Sequence, residues 1–162
     1  MAREGRSRVK KIILLIVGVL VAALIVIQFF RIDTTPIPVV QADSLQASVT
    51  VPPDIDMVLM RSCGDCHSNQ TVYPWYSQVQ PVAWWLRGHI TEGRQNLNFS
   101  TFNTYNARRK QKKLEAICEE IKSGDMPLPS YTWGHWNAVL SQSEKDAICK
   151  WTETAEAQVP DQ

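Results

Sequence analysis

The chain is poor in the side chains that usually carry chemistry. Its 162 residues include four cysteines, three histidines and four methionines, so any metal or redox function rests on a handful of positions. No stretch alternates apolar and polar residues between turn signals, which argues against a β-sheet fold. No internal repeat and no low-complexity tract is present. No nucleophile stands in a pattern with a base, and no carboxylate pair marks an acid/base dyad, so the chain reads as a carrier or binding protein and not an enzyme. A large excess of one charge is missing too: the formal net charge is +1, and nothing suggests a nucleic-acid partner. The one basic run, Arg108 to Lys113, reads as the solvated start of a helix, with docking to an acidic redox partner as the lesser reading.

The charge that is present is unevenly placed. Residues 1–42 hold six Lys/Arg and two Asp/Glu, whereas residues 43–162 hold 11 and 14. The basic segment 1–11, with Arg3, Arg6, Arg8, Lys10 and Lys11, precedes an apolar run from Ile12 to Phe30. As a helix, those 19 residues would span about 28 Å, close to the hydrocarbon thickness of a bilayer. The basic flank keeps the N-terminus in the cytoplasm and sends the remainder outward. A cleaved signal peptide is the competing reading, but Phe29-Phe30-Arg31-Ile32-Asp33 makes a poor cleavage site, and a retained single-span anchor is preferred. Residues 31–53, opening with Thr34-Thr35-Pro36-Ile37-Pro38, read as an extended linker.

The domain that follows, residues 54–158, contains Cys63-Gly64-Asp65-Cys66-His67. C-x-x-C-H is the attachment pattern of c-type haem: two thiols placed for thioethers to the two vinyl groups, and an adjacent imidazole for the iron. A thioredoxin-like dithiol would follow a strand in a βαβ unit. A structural zinc site would need a second Cys/His pair at similar spacing, and Cys118 and Cys149 lie alone and far apart. One covalently attached haem c is therefore expected, with His67 as proximal ligand. Its chemistry agrees with an oxidising, exported location.

Helical periodicity fills the rest. Asp54 is placed to cap a helix running through Ser62, with Ile55, Val58 and Leu59 on one face. Val82, Trp85, Leu86 and His89 define the next apolar face, and Gly93 falls near its end. Leu114, Ile117, Cys118 and Ile121 define a third, stopped by Gly124. Ser141 to Glu144 has capping-box form and starts a last helix carrying Ile148, Trp151 and Ala155. The expected fold is mainly α: a small cytochrome c-like helical haem domain behind a single N-terminal transmembrane helix. The six tryptophans read mostly as core or haem-pocket packing, with Trp75, Trp84 and Trp85 as flanks of the porphyrin. Met57 and Met60 read as core packing before the motif.

An electron carrier needs a second axial ligand. Met126, in Gly124-Asp125-Met126-Pro127, is the first choice because the proline stiffens a loop just after a helix end. His89 and His135 are the alternatives, and either would give bis-histidine iron of lower potential. Cys118 and Cys149 could form a disulfide between the third and last helices or stay as buried thiols, and both readings stand.

Taken together, Cys63 to Tyr76, Trp84-Trp85, His89 to Arg94, Leu97 to Ser100, Gly124 to Pro127, Tyr131, His135, Leu140-Ser141 and Trp151 resemble the bacterial haem-binding domain family with a cytochrome c-type motif, over roughly residues 50 to 155. The resemblance implies a periplasmic or membrane-attached haem domain that carries electrons, with Cys63, Cys66 and His67 as attachment and proximal residues. It supports Met126 but also contains the histidines matching His89 and His135. The reading is a monohaem c-type cytochrome anchored in the bacterial inner membrane, serving an unidentified redox protein. A haem-based sensor with an open sixth position and a small peroxidase using His89 or Arg94 are the alternatives.

Overall fold

The computed structural model describes residues 2–160, so Met1 of the basic N-terminal segment lies outside the described residues. Every regular element among them is helical, as the sequence leads one to expect. The chain divides into two units, one formed by the segments up to Thr34 and Tyr73–Gly88, the other by Thr35–Val72 and the segment from His89 onward.

The first unit is built on α1 (Ala2–Ile27). Within it Ser7–Ile27 is long and apolar enough to cross a bilayer, and none of that stretch is buried within the protein. The helix stops three residues short of the expected Phe30 because Gln28 turns its amide to other work. Its Nε2 donates to Leu24 O at 2.9 Å and Gln80 O at 3.0 Å, and its Oε1 accepts from Gln80 N at 2.9 Å. The second segment holds a 3₁₀ turn, Trp75–Gln78. It also holds the first half of α5 (Val82–Asn96), numbered after α2, α3 and α4, which belong to the other unit.

In the second unit, the expected linker departs from a spacer in its later half. Gln41–Asp43 is a 3₁₀ turn and Leu45–Ser48 is α2, capped by Ser44. Leu45 and Val49 are buried in the hydrophobic core. Hydrogen bonds fasten this segment to elements far along the chain: Asn103 Nδ2 donates to Ala42 O, Thr50 N to Gln158 Oε1, and Trp151 Nε1 to Thr50 O, all within 3.0 Å. The prolines signalled extension, but the apolar pair four residues apart carried the burial.

α3 (Pro53–Ser62) starts one residue earlier than expected: Pro53 takes the first helical position, and Asp54 and Asp56 sit in the first turn instead of capping it. There their charge complements the helix dipole. Ile55 and Leu59 are buried, Met60 packs partly buried against the core, and Met57 is exposed, so core packing does not account for it. After a break at Cys63, the single turn α4 (Gly64–His67) follows.

α6 (Ala107–Ser123) is capped by Asn106 and ends at Gly124, whose φ of 85° is the left-handed conformation that glycine adopts freely. Two short turns follow, α7 (Pro129–Thr132) and a 3₁₀ turn at Trp136–Ala138. The last helix, α8 (Gln142–Glu156), begins in a complete capping box between Ser141 and Glu144. A disulfide joins Cys118 of α6 to Cys149 of α8, resolving the open choice in favour of the bond. Cys149 is buried.

Glu144 does two jobs. Its Oε2 accepts from Ser141 N and Ser141 Oγ, both at 2.8 Å, and its Oε1 lies 2.9 Å from Arg61 at the end of α3. The hydrogen bonds from the Ser141 backbone and hydroxyl, and then Arg61, hold its carboxyl below the usual range. The stabilisation is therefore present above the unfolded-state value and lost as pH falls through the folded-state value. We expect Glu144→Ala to cost about 1 kcal/mol at neutral pH. In urea titrations of the full chain in detergent, that gap to wild type should close in acid, and Glu144→Gln should fall between the two.

Candidate functional site

A cavity of about 420 Å³ lies in the second unit, a size typical of small-molecule and cofactor sites. Cys63, Cys66 and His67 line it, as do His89 and Met126. Four separate helices or helix ends thus bring the sequence-selected residues to one space. Leu59, Leu97, Phe99, Ile117 and Ile121 give it an apolar wall, and Ser62, Glu92, Asn96, Lys113, Glu120 and Tyr131 add polar and charged groups.

His67 is the most constrained of these residues. Its Nδ1 lies 3.1 Å from Gly93 O and 3.0 Å from Leu97 O. Carbonyl oxygens only accept, so Nδ1 carries the proton and the Nε2 lone pair is left for a metal. The Gly93 carbonyl also accepts the Leu97 N–H at 2.8 Å, so it serves the last turn of α5 and His67 together, while Leu97 is the residue just after the helix. Burial lowers the imidazole's proton affinity, against the opposing pull of the Leu97 and Gly93 bonds, and Lys113 adds to the lowering. A neutral ring with a fixed tautomer is the form that binds iron.

The carbonyl of Gly93 reaches His67 because α5 passes very close to the motif. A Cβ built on Gly93 would lie 2.8 Å from Cys66 O and 3.2 Å from Cys66 Cβ. Glycine is thus required by close approach, near the helix end as expected but for a reason the sequence did not show. Behind His67, Asn98 Nδ2 donates to Asn69 Oδ1 at 2.9 Å, and Asn69 N donates to Ser100 Oγ at 3.0 Å. These bonds tie the segment after the motif to the turn Phe99–Thr104.

Both motif cysteines are thiols here. Burial pushes Cys63 up to about 12, with Cys66 adding and Arg61 opposing. Burial also pushes Cys66 up to about 11, with Asp65 adding and Arg94 opposing. An activated redox dithiol needs the opposite shift. No group of three or more His, Cys, Asp or Glu suited to a metal ion occurs among the described residues, so the zinc reading gains nothing.

Met126 stands in a short built loop. Its N–H donates to Glu120 O at 3.0 Å, across the left-handed Gly124, and Ser123 Oγ donates to Asp125 Oδ2 at 2.8 Å. His135 does not line the cavity. Its ring stacks on Tyr131 with centroids 4.1 Å apart, and its Nδ1 hydrogen-bonds the Tyr131 carbonyl. Tyr131, which does line the cavity, in turn donates to Asp65 Oδ2 at 2.7 Å, so this pair braces the motif. Arg94, the pocket arginine of the peroxidase alternative, donates to Ser68 O and Thr71 Oγ1 at 2.8 Å and also lies outside the lining.

The tryptophan expectation fails. Only Trp151 is buried; Trp75, Trp84, Trp85, Trp133 and Trp136 are exposed and none lines the cavity. On α5 the buried positions are Ala83, Leu86, Ile90 and Gly93, so the face is turned one residue from the expected Val82–Trp85 register. Sequence reasoning also missed Leu97 O, Lys113 and Asn96. The only available signal was the i, i+3, i+7 run of small and aliphatic residues on α5, masked by the bulkier tryptophans beside it.

The haem-binding domain family matches residues 22–154, most of the chain, and the chain belongs to that family. No curated protein and no solved structure matches it. Haem binding fits the site: an apolar cavity, a neutral imidazole with its metal-binding nitrogen open, and two adjacent thiols.

The close approach at Gly93 gives a paired test within one helix. Gly88, also on α5, has nothing within 4 Å of its Cβ position. Gly88→Ala should stabilise the protein by up to about 1 kcal/mol through helix propensity. Gly93→Ala should destabilise it by about 1–3 kcal/mol through overpacking and lower the haem content of purified protein. Thermal melts and absorption spectra of the two variants check both signs.

Proposed function

We propose that this member of the haem-binding domain family is a membrane-anchored monohaem c-type cytochrome, carrying single electrons on the periplasmic face of the bacterial inner membrane. The observation that carries the reading is the Nδ1–H of His67, shared by the Gly93 and Leu97 carbonyls, beside two thiols on a cavity that Met126 also lines. When bound, haem supplies an iron that cycles between ferrous and ferric states. Cys63 and Cys66 would hold the group covalently, each thiol adding S–H across one vinyl double bond, which needs no electron acceptor. His67 Nε2 and the Met126 thioether would be the two side chains offered to the iron. Lys113 and Asn96 are polar groups in the lining suited to the carboxylate arms of the porphyrin.

Met126 is favoured over His89 by position. His89 lies on α5 one turn before Gly93, on the wall that already holds His67, whereas Met126 arrives from the end of a different helix. His135 is engaged by Tyr131, which counts against it as a second ligand, and Arg94 lies outside the lining, which leaves the peroxidase reading with His89 alone. The N-terminal span, with its basic flank, supports a retained anchor with the haem domain outside the cytoplasm, and the Cys118–Cys149 disulfide agrees with an oxidising compartment. The redox partner is a protein whose identity the chain does not reveal.

Haem should remain on the polypeptide through denaturing electrophoresis, and its loss there would rule out covalent attachment. The oxidised wild type should show the weak near-infrared band of Met–iron ligation, and the ferrous form should not take up carbon monoxide. Met126→Ala should abolish the band and admit carbon monoxide. An unchanged Met126→Ala spectrum would move the distal role to His89, and rapid carbon monoxide uptake by wild type would favour the sensor alternative.

A further inference from the structure

Segment Tyr73–Gly88 has an unusual surface. It carries three of the six tryptophans, Trp75, Trp84 and Trp85, and no acidic residue, although the exported part of the chain is acidic as a whole. Those three side chains are 81%, 42% and 50% exposed, and Val79 and Val82 beside them are more than 40% exposed. Within the same unit, Phe29 and Phe30 at the end of the apolar helix are 83% and 62% exposed. Such a cluster is too large an apolar display to leave in water without a function.

The hydrogen bonds say what covers it. The segment is fastened to the exit of α1, where the last helix carbonyls and the first residues beyond need partners. Gln80 and Gln28 exchange side-chain and backbone bonds at 2.9–3.0 Å. Phe30 O accepts from Gln80 Nε2 at 2.9 Å and from Trp84 Nε1 at 3.0 Å, and Arg31 donates to Gln78 Oε1 at 3.1 Å. Backbone leaving a bilayer core must be satisfied by the protein until water can reach it. Tryptophan, apolar in body with one N–H donor, is the residue that collects at that level.

We propose that Tyr73–Gly88 is an interfacial collar that seats Trp75, Trp84 and Trp85 in the headgroup region of the outer leaflet, around the exit of α1. The occupant is the phospholipid interface itself, continuous with the bilayer that covers α1, so the inference rests on the anchor reading given above. The membrane then contacts the chain at two places some fifty residues apart in sequence. A lone span would leave the tryptophans in water and the Phe30 carbonyl without its indole donor.

The test uses the full haem-loaded chain, in its ferrous form, labelled with 5-fluorotryptophan and inserted into phosphatidylcholine nanodiscs. Its six fluorine resonances are assigned with single Trp→Phe variants. A shallow nitroxide-labelled lipid should broaden the resonances of Trp75, Trp84 and Trp85 several-fold more than those of Trp133 and Trp136, which are at least as exposed but lie outside the collar. A soluble gadolinium chelate should do the reverse, and buried Trp151 should respond to neither. If Trp75, Trp84 and Trp85 follow the soluble chelate instead, the collar is wrong. Flotation of the chain with vesicles at high pH separates the two readings: a chain that floats without lipid broadening keeps its anchor and loses the collar, and one that fails to float loses both.

Discussion

Everything at the cavity depends on one shared proton. The Nδ1–H of His67 lies between the carbonyls of Gly93 and Leu97, and that fixes the tautomer, the ring plane and the direction of Nε2 together. Two acceptors for one hydrogen hold the ring more firmly than one would, and one of them, Gly93 O, also accepts Leu97 N and so belongs to the last turn of α5. The same contact demands that α5 lie almost on top of the C-x-x-C-H turn, which only glycine at 93 permits. The ligand, its orientation and the packing of two elements are therefore one constraint and not three.

Burial completes what the hydrogen bonds begin. Desolvation raises both motif thiols and lowers His67, so all three groups are held neutral. Neutral thiols are poor nucleophiles for disulfide exchange, and a neutral imidazole keeps its lone pair. The apolar wall that enforces this comes largely from α6, whose Ile117 and Ile121 face both core and cavity. Cys118 lies between them, and its disulfide to α8 fixes the helix at that point. The Arg61–Glu144 pair ties the helix leading into the motif to the start of α8. The cavity wall is thus anchored on both sides by elements that never touch the site.

What could be read from the sequence was the part with strong local pattern. The motif, the heptad-like face of α6, the stop at Gly124 and the capping box of α8 are each written within a few adjacent residues, and each appears in the structure. What could not be read depended on partners far along the chain. Gly93 looks like a helix end until Cys66 is placed against it. The segment 41–49 looks like a spacer until Leu45 and Val49 find the core. Tryptophan was the most misleading residue, because size alone suggests burial, whereas five of the six are exposed. Their amphipathic character carried more information than their bulk. His135 shows the same limit: a histidine in an aromatic stretch reads equally well as a ligand or a brace, and only its stacking on Tyr131 separates the two.

The distal side follows from how differently the two flanking loops are built. On the His67 side, rigidity comes from a helix, two carbonyls and an amide network through Asn69, Asn98 and Ser100. On the Met126 side, it comes from a left-handed glycine, a backbone bond back to Glu120 and a proline immediately after. A free-standing gap-filler would need none of that; methionine's value in cores lies in its adaptability. A thioether that must meet a metal at a fixed distance needs a loop that does not adapt. His89 sits on a regular helix whose position is already set by Gly93, so moving it toward the opposite side would pull α5 from the motif and undo the proximal constraint. The proposed arrangement preserves both, with α5 serving His67 alone and the loop after α6 offering Met126 as the second ligand.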